Sequence, residues 1–350
     1  MINQSAFRDL VSGQRRGFAA SLMRGILRGC EWPYSWAVRL RNWRYDRGRA
    51  DIHRVAVPVI SIGNLTLGGT GKTPLVEWIA RRFRERSLRV AIVSRGYGAE
   101  ANGQNDEALE LKLALPDVPH VQNPERVAAS QQAVEVYRAE VIVLDDGFQH
   151  RRLARDVDIV LLDATEPFGF EHVFPRGTLR EPLSGLARAR VAVLSRANML
   201  DQRAREKIRR CVLQLSPEIA WCELMHCPQG LIGASGKQSS ISSASGKRVA
   251  AFCGIGNPAG FRHTLSTLGC EVVTWLEFAD HHNYSSDDVQ SLVDWAADAE
   301  MALCTRKDLV KLRLESLGNV PLFALQVEIE FLAGQSELEA ALEHVLQNIK

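Results

Sequence analysis

Residues 61–80 read SIGNLTLGGTGKTPLVEWIA, and the interpretation of this stretch decides the fold. The apolar run VPVISIGN at 57–64 has the length of a buried strand, and PLVEWIARRFRER at 74–86 has helical apolar spacing. A glycine-rich turn from a strand into a helix N-terminus aims backbone N–H groups at one point. The helix dipole adds partial positive charge there, so such a turn holds phosphate oxygens. The candidate nucleotide-binding segment is Thr66, Leu67, Gly68, Gly69, Thr70, Gly71, Lys72 and Thr73. In it the glycines form the turn, Lys72 supplies the cation and Thr73 the hydroxyl for Mg²⁺. Pro74 suits the first turn of the helix. The strict pattern has glycine where this chain has Thr66, which leaves the physics intact. The competing reading is a structural turn with an incidental Gly-Lys-Thr; the flanking strand and helix argue against it.

Working outward, RVAIVSRGYG, VIVLDDG, DIVLLDA and VAVLSRA are further short apolar strands, separated by helical stretches near 124–139 and 201–214. Apolar strands alternating with helices predict an α/β fold, a P-loop NTPase-like, mostly parallel sheet with helices on both faces. A phosphate loop needs an acid from a neighbouring strand end to hold Mg²⁺. Asp145 and Asp146 follow four apolar residues in VIVLDDGFQH and fill that position. On their own they read as a turn-forming pair; after the loop, and in the expected order, they point to Mg-nucleotide binding. FPRGTLREPL at 174–183 offers Arg176 and Arg180 for phosphate oxygens and Glu181 for the metal shell, although alone it reads as a surface turn. FADHHNY at 278–284 carries Asp280, His281 and His282. Adjacent side chains in extended chain point opposite ways, so one histidine acting as a base, or orienting one, is more economical than two on one ion.

The N-terminal part differs in character. Residues 11–50 hold nine arginines against Glu31 and Asp46, a local net charge of +7 in a chain of +2. Phe18, Leu22 and Ile26 recur at helical spacing, and Trp36, Leu40 and Trp43 share a face. Gly25, Gly29 and Pro33 predict two helices rather than one. Arginine and tryptophan on an amphipathic helix suit an anionic membrane surface; a helix pair packed on the body with a solvated basic face is the plainer reading. No apolar run is long enough to span a bilayer, and arginines interrupt any signal-peptide layout. The seven cysteines form no CxxC pair, which argues against zinc ribbons and for reduced thiols in a cytosolic setting. The polar, Gly/Ser-rich stretch at 228–247 reads as a domain boundary. The expected organisation is 1–50 as basic amphipathic membrane-associating helices, 51–228 as the P-loop domain and 229–350 as a smaller C-terminal α/β domain.

The motifs SIGNLTLGGTGKTP, SRGYG, VIVLDDGFQHRRLARDVDIVLLDA, LREPL, GIGNP, FADHH and CTRKDLVKL follow one another between residues 61 and 312, within a resemblance that runs over residues 20–330. In this set and order the chain resembles the tetraacyldisaccharide 4′-kinases, and DDGFQHRRL beside this P-loop is the most specific element. The resemblance implies transfer of the γ-phosphoryl group of ATP to the 4′-hydroxyl of a tetraacylated glucosamine disaccharide 1-phosphate in lipid A biosynthesis. It also implies Mg²⁺ and work at the cytoplasmic face of the inner membrane, as a peripheral protein held by its N-terminal helix. The acid–base pair it implies maps onto Asp106, in QNDEALEL, and His281. The family usually has Gly-Asp-Glu-Pro where this chain has Asn105-Asp106-Glu107-Ala108, and Thr-Glu-Lys-Asp where it has Thr305-Arg306-Lys307-Asp308.

Two other classes fit part of the sequence. A membrane-associated P-loop switch ATPase acting on a protein partner explains the loop and the basic N-terminus but gives Asp106 and His281 no task. A non-catalytic peripheral module that binds nucleotide for stability gives them none either. No nucleic-acid motif is present, and no obligatory protein partner is inferred.

Overall fold

In the computed structural model, which describes residues 4–96 and 106–347, the predicted strand before the glycine-rich turn is β1 (Val59–Asn64), buried along its whole length. The helix after the turn is α3 (Lys72–Glu85). The chain divides into two interleaved compact units: 1–95, 117–225 and 331–350 form the first, 96–116 and 226–330 the second.

The first unit begins with α1 (Gln4–Ser12) and α2 (Phe18–Asp46). After β1 and α3 come β2 (Val90–Ser94), β3 (His120–Gln122), α5 (Arg126–Glu135), β4 (Val141–Asp145), β5 (Val157–Asp163), β6 (Val191–Ser195), α6 (Gln202–Leu215) and the start of β7 (Ala220–Ile232); α4 (Asp106–Ala114), between β2 and β3, belongs to the second unit. The strands lie in the order β7-β6-β5-β1-β4-β2-β3, all parallel. The order reverses at β1, between β5 and β4. Ligands of open α/β sheets bind at such a switch point, beyond the strands' carboxyl ends. Register places Ile62 beside Asp145, so the glycine-rich turn and the paired acids leave the sheet side by side. Gly63 permits this spacing: a Cβ there would stand 2.6 Å from the Phe148 Cβ. Ala129 and Ala133 of α5 cover one part of the sheet through Val59, Val93 and Leu144; Ile208 and Val212 of α6 cover another through Val160, Ala192 and Leu194.

The second unit contains α4, the end of β7, β8 (Gln238–Ser240), β9 (Arg248–Cys253), α7 (Pro258–Ser266), β10 (Glu271–Glu277), α8 (Ser286–Ala296), β11 (Met301–Thr305), α9 (Arg306–Leu312), β12 (Ser316–Leu317) and most of β13 (Val320–Ala333). Strands β10, β9, β11 and β13 are parallel neighbours in that order. Successive residues face opposite cores. Val249, Ala251 and Leu303 meet Phe261 and Leu265 of α7, whereas Ala250, Phe252 and Ala302 meet Leu292 of α8 and Leu309 of α9. The last helix, α10 (Gln335–Leu346), belongs to the first unit.

One expectation is corrected. Residues 18–46 form one helix, not two. Pro33 deprives the Gly29 carbonyl of its helical partner, but both residues are exposed, so water can satisfy that carbonyl. Anchors on either side of the proline hold the line: Glu31 accepts the Val173 N–H at 2.9 Å, and Asn42 donates to Glu181 at 2.9 Å. The Gly/Ser-rich stretch at 228–247 lies just past the limit between the two units at 225/226 and has local structure of its own. Gly230–Ile232 pairs antiparallel with Gln238–Ser240, and Ile241–Ala244 forms a short 3₁₀ turn.

Candidate active site

The glycine-rich turn has the conformation its residue types predict. Gly68 (φ 113°) and Gly71 (φ 80°) occupy the left-handed region, and Gly71 caps α3. The helix begins at Lys72, so its unpaired first-turn amides face the turn. Thr66 is accommodated because its position is extended: it bridges Leu179, while Leu67 N–H donates to the Thr178 carbonyl at 2.7 Å and Arg180 N–H to the Leu65 carbonyl at 2.6 Å. The departure from the strict pattern thus falls where no positive φ is needed. Thr70 is buried within the turn.

Lys72 is held between Asn64 Oδ1 at 3.2 Å and Asp146 Oδ1 at 3.3 Å. Arg180 Nη1 reaches both Asp146 oxygens, at 2.9 and 2.8 Å. Burial alone would raise the Asp146 pKa; Lys72 and Arg180 outweigh it and hold the carboxyl well below the usual carboxylate range. Asp145 is buried at the end of β4. Thr73, Asp145 and Asp146 offer a hydroxyl and carboxylates, hard oxygen donors of the kind Mg²⁺ selects. Glu181 is placed differently. Its Oε1 accepts from Gln149 and Arg188 and its Oε2 from Asn42 and Arg188, so all of a carboxylate's acceptor positions are filled. It braces α2 against the loop that carries Arg180 and has none left for an ion. Arg176 donates to the Val11 carbonyl, at the end of α1.

Two residues of this region were not read from the sequence. Asn64 orients Lys72 and also donates to the Thr66 carbonyl at 2.7 Å. Arg196, at the carboxyl end of β6, pairs with Asp163 at 2.5 Å and reaches the Gly69 carbonyl at 3.3 Å. Their position at carboxyl ends of apolar strands was the available signal.

The second unit brings Asp106 and His281 together. Asp106 opens α4 and is buried; its oxygens lie 3.1 and 3.0 Å from His281 Nδ1. His281 has φ 61°, in the left-handed region, and the next histidine turns away from it. His282 Nε2 meets Asp288 at 3.1 Å, and its ring stacks on Phe278. The two histidines therefore serve different partners, as their adjacency predicts. Helix α9 packs its cations against the pair: Lys311 Nζ lies 2.8 Å and Lys307 Nζ 3.6 Å from Asp106 Oδ2. Burial would raise the Asp106 pKa, but the His281 hydrogen bond and the two lysines drive it well below the carboxylate range. The hydrogen bond to Asp106 raises the His281 pKa against burial and Lys307. Asp106 is accordingly a fixed anion, and the imidazole is the group of the pair that can take a proton. Arg306 donates to the Glu110 carbonyl at 3.4 Å. Asn105 lies outside the described residues.

The family model of tetraacyldisaccharide-1-P 4′-kinase matches residues 23–347. The chain belongs to this kinase family. A tetraacyldisaccharide 4′-kinase of Anaeromyxobacter sp. (strain K) is 39% identical over 95% of this chain and 93% of its own length. That of Geobacter sulfurreducens is 35% identical over 97% and 98%. Among solved structures, LpxK from Aquifex aeolicus in complex with ATP matches with a TM-score of 0.74 and 28% identity, over 92% of this chain and 99% of that one. The family match establishes the chain as an enzyme, a kinase built on a mostly parallel P-loop NTPase-like sheet, and does not favour the switch-ATPase reading. Among the described residues no helix is long and apolar enough to cross a membrane.

Proposed function

We propose that the chain transfers the γ-phosphoryl group of ATP to the 4′-hydroxyl of a tetraacylated glucosamine disaccharide 1-phosphate, with the triphosphate on residues 66–73 and His281 as proton acceptor. The observation that carries the transferase reading is the Asp106–His281 pair. A nucleotide switch has no use for an ionised, buried carboxylate that fixes an imidazole whose other face is accessible. A sugar hydroxyl is a poor nucleophile, and it need only surrender its proton late in phosphoryl transfer to an acceptor within hydrogen-bond reach. Lys72 and the amides opening α3 offset charge on the phosphoryl oxygens. Arg180, already at Asp146, is the further guanidinium we place at the phosphates. Thr73, Asp145 and Asp146 are the residues we assign to Mg²⁺, which when bound supplies charge neutralisation at the phosphates.

Helix α2 supports a peripheral membrane position. Phe18, Leu22, Ile26, Trp36, Leu40 and Trp43 form an exposed row, with Phe18 86% accessible, while Glu31, Val38 and Asn42 face the body. A row of this kind beside arginines suits the anionic cytoplasmic face of the inner membrane.

The test is product formation. Purified protein, Mg-ATP and the tetraacyl disaccharide 1-phosphate should yield lipid heavier by one phosphate. Lys72→Met should abolish the product through phosphate handling, and His281→Ala should lower turnover about 10²–10⁴-fold while ATP still binds. ATP consumption with unchanged lipid mass would refute the transferase reading.

A further inference from the structure

His281 has a third neighbour. Lys307 Nζ lies 3.3 Å from its Nε2, the nitrogen not engaged by Asp106, and 3.0 Å from Asp280 Oδ1. An ammonium can only donate. Nε2 must therefore present its lone pair to Lys307, and Nδ1 must carry the proton that Asp106 accepts. The contact thus selects the tautomer that a base acting through Nε2 requires. Lys307 also grips the turn. Its bond to Asp280 precedes the left-handed His281, and Lys311, one helical turn further along α9, donates to the His282 carbonyl at 3.0 Å on the other side. A non-glycine residue held at positive φ needs surroundings that over-determine it, and the two lysines supply them.

We propose that Lys307 is a positioning residue for the acid–base pair: it holds His281 in the Nδ1–H tautomer, with the Nε2 lone pair turned away from Asp106 and toward Lys307. The inference rests on His281 as proton acceptor. In the step it serves, Lys307 leaves Nε2 and keeps its Asp280 partner, the hydroxyl proton passes to the freed Nε2 lone pair, the Nδ1–H···Asp106 bond stays intact, and the imidazolium later releases its proton to solvent. The charged groups facing His281 are Asp106 on α4, Lys307 and Lys311 on α9, and Asp280 on its own turn; Glu107 faces Lys307. Lys307 opposes protonation of His281 and Asp106 promotes it. Removing the lysine charge leaves the imidazole more basic, so a higher pH is needed to deprotonate Nε2 and free its lone pair.

The pH profile of kcat/KM for Lys307→Met should have its acid limb moved upward by roughly one pH unit, with activity below that limb about tenfold under wild type. Lys307→Arg keeps the charge and should leave the limb in place. A purely structural lysine would lower kcat/KM by the same factor at every pH, and that result would overturn the proposal. Nitrogen chemical shifts of labelled histidine in the unmodified protein give a reading that needs no variant to fold: His281 should show a protonated Nδ1 and a bare Nε2, and the opposite tautomer would overturn the proposal. His281→Ala run alongside separates the two layers. Full turnover in that variant removes His281 from the reaction and the inference with it. Loss of turnover there, combined with an unmoved limb in Lys307→Met, sinks the Lys307 inference alone.

Discussion

At the scale of single residues, the site is made of charges whose neighbours fix their state. Asp106 is the clearest case. Its folded pKa lies below the ordinary value of 3.8 because His281, Lys307 and Lys311 favour the anion more than burial penalises it. A depressed carboxylate pKa contributes stability that is complete above 3.8 and is lost as pH falls through the folded value. Asp106→Asn should therefore melt below wild type at neutral pH, with the gap closing as pH drops under 3.8, as thermal melts across pH would record. Gly71 makes a different demand. At φ 80° and ψ 36° it turns the chain into α3, and a side chain there costs about 1–2 kcal/mol. Gly71→Val should lower stability by that order and weaken ATP binding, measured by calorimetry. Single residues were also where the sequence was most legible. Lys72, Asp145, Asp146 and His281 stand in local motifs whose chemistry is carried by neighbours along the chain, whereas Asp106 was reached only through the family resemblance. Arg196 and Lys307 were not read, because their partners Asp163 and His281 become partners only when strand ends and helices converge; Asn64, whose partners Thr66 and Lys72 are near along the chain, was not read because an asparagine at a strand end carries no motif of its own.

At the scale of elements, α2 shows how local propensity can be overruled. Glycines and a proline predict a break, yet body-facing anchors at Glu31, Tyr34 and Asn42 hold one continuous helix. Glu31→Ala leaves the Val173 N–H without its carboxylate and should lower stability by about 1–3 kcal/mol in chemical denaturation. The opposite face should behave independently. Replacing Phe18, Leu22 and Trp36 by serine removes exposed surface only, so the melting temperature should hold while binding to anionic vesicles falls. Equal vesicle binding by that variant would detach α2 from the membrane. Strands were legible where they are buried throughout and mostly apolar, as in β1, β4, β5 and β6. Strand β3 has three residues and β7 mixes Glu223, His226 and Gln229 with its apolar positions, so neither carries a periodic signal.

At the scale of the whole molecule, the nucleotide loop lies in one unit and the acid–base pair in the other. The sequence reading placed its cuts at 50 and 228. Interleaving of 96–116 with 226–330 has no linear signature, because it depends on which segments pack and not on where composition changes. The helix bearing Asp106 thereby belongs with the strands and turn bearing His281, far away along the chain. Ligand that binds only the folded state stabilises it by mass action, by about 2.7 kcal/mol at a hundredfold excess over Kd. Mg-ATP should raise the melting temperature of wild type by the corresponding few degrees, and Lys72→Met should lose the shift. The most direct measurement concerns where the phosphate goes. Phosphorus NMR of the lipid product, correlated to protons, should show a new phosphomonoester coupled to the 4′ proton of the disaccharide. Inorganic phosphate accumulating beside unaltered lipid, or a phosphate on any other oxygen, would contradict a kinase that directs a 4′-hydroxyl at ATP.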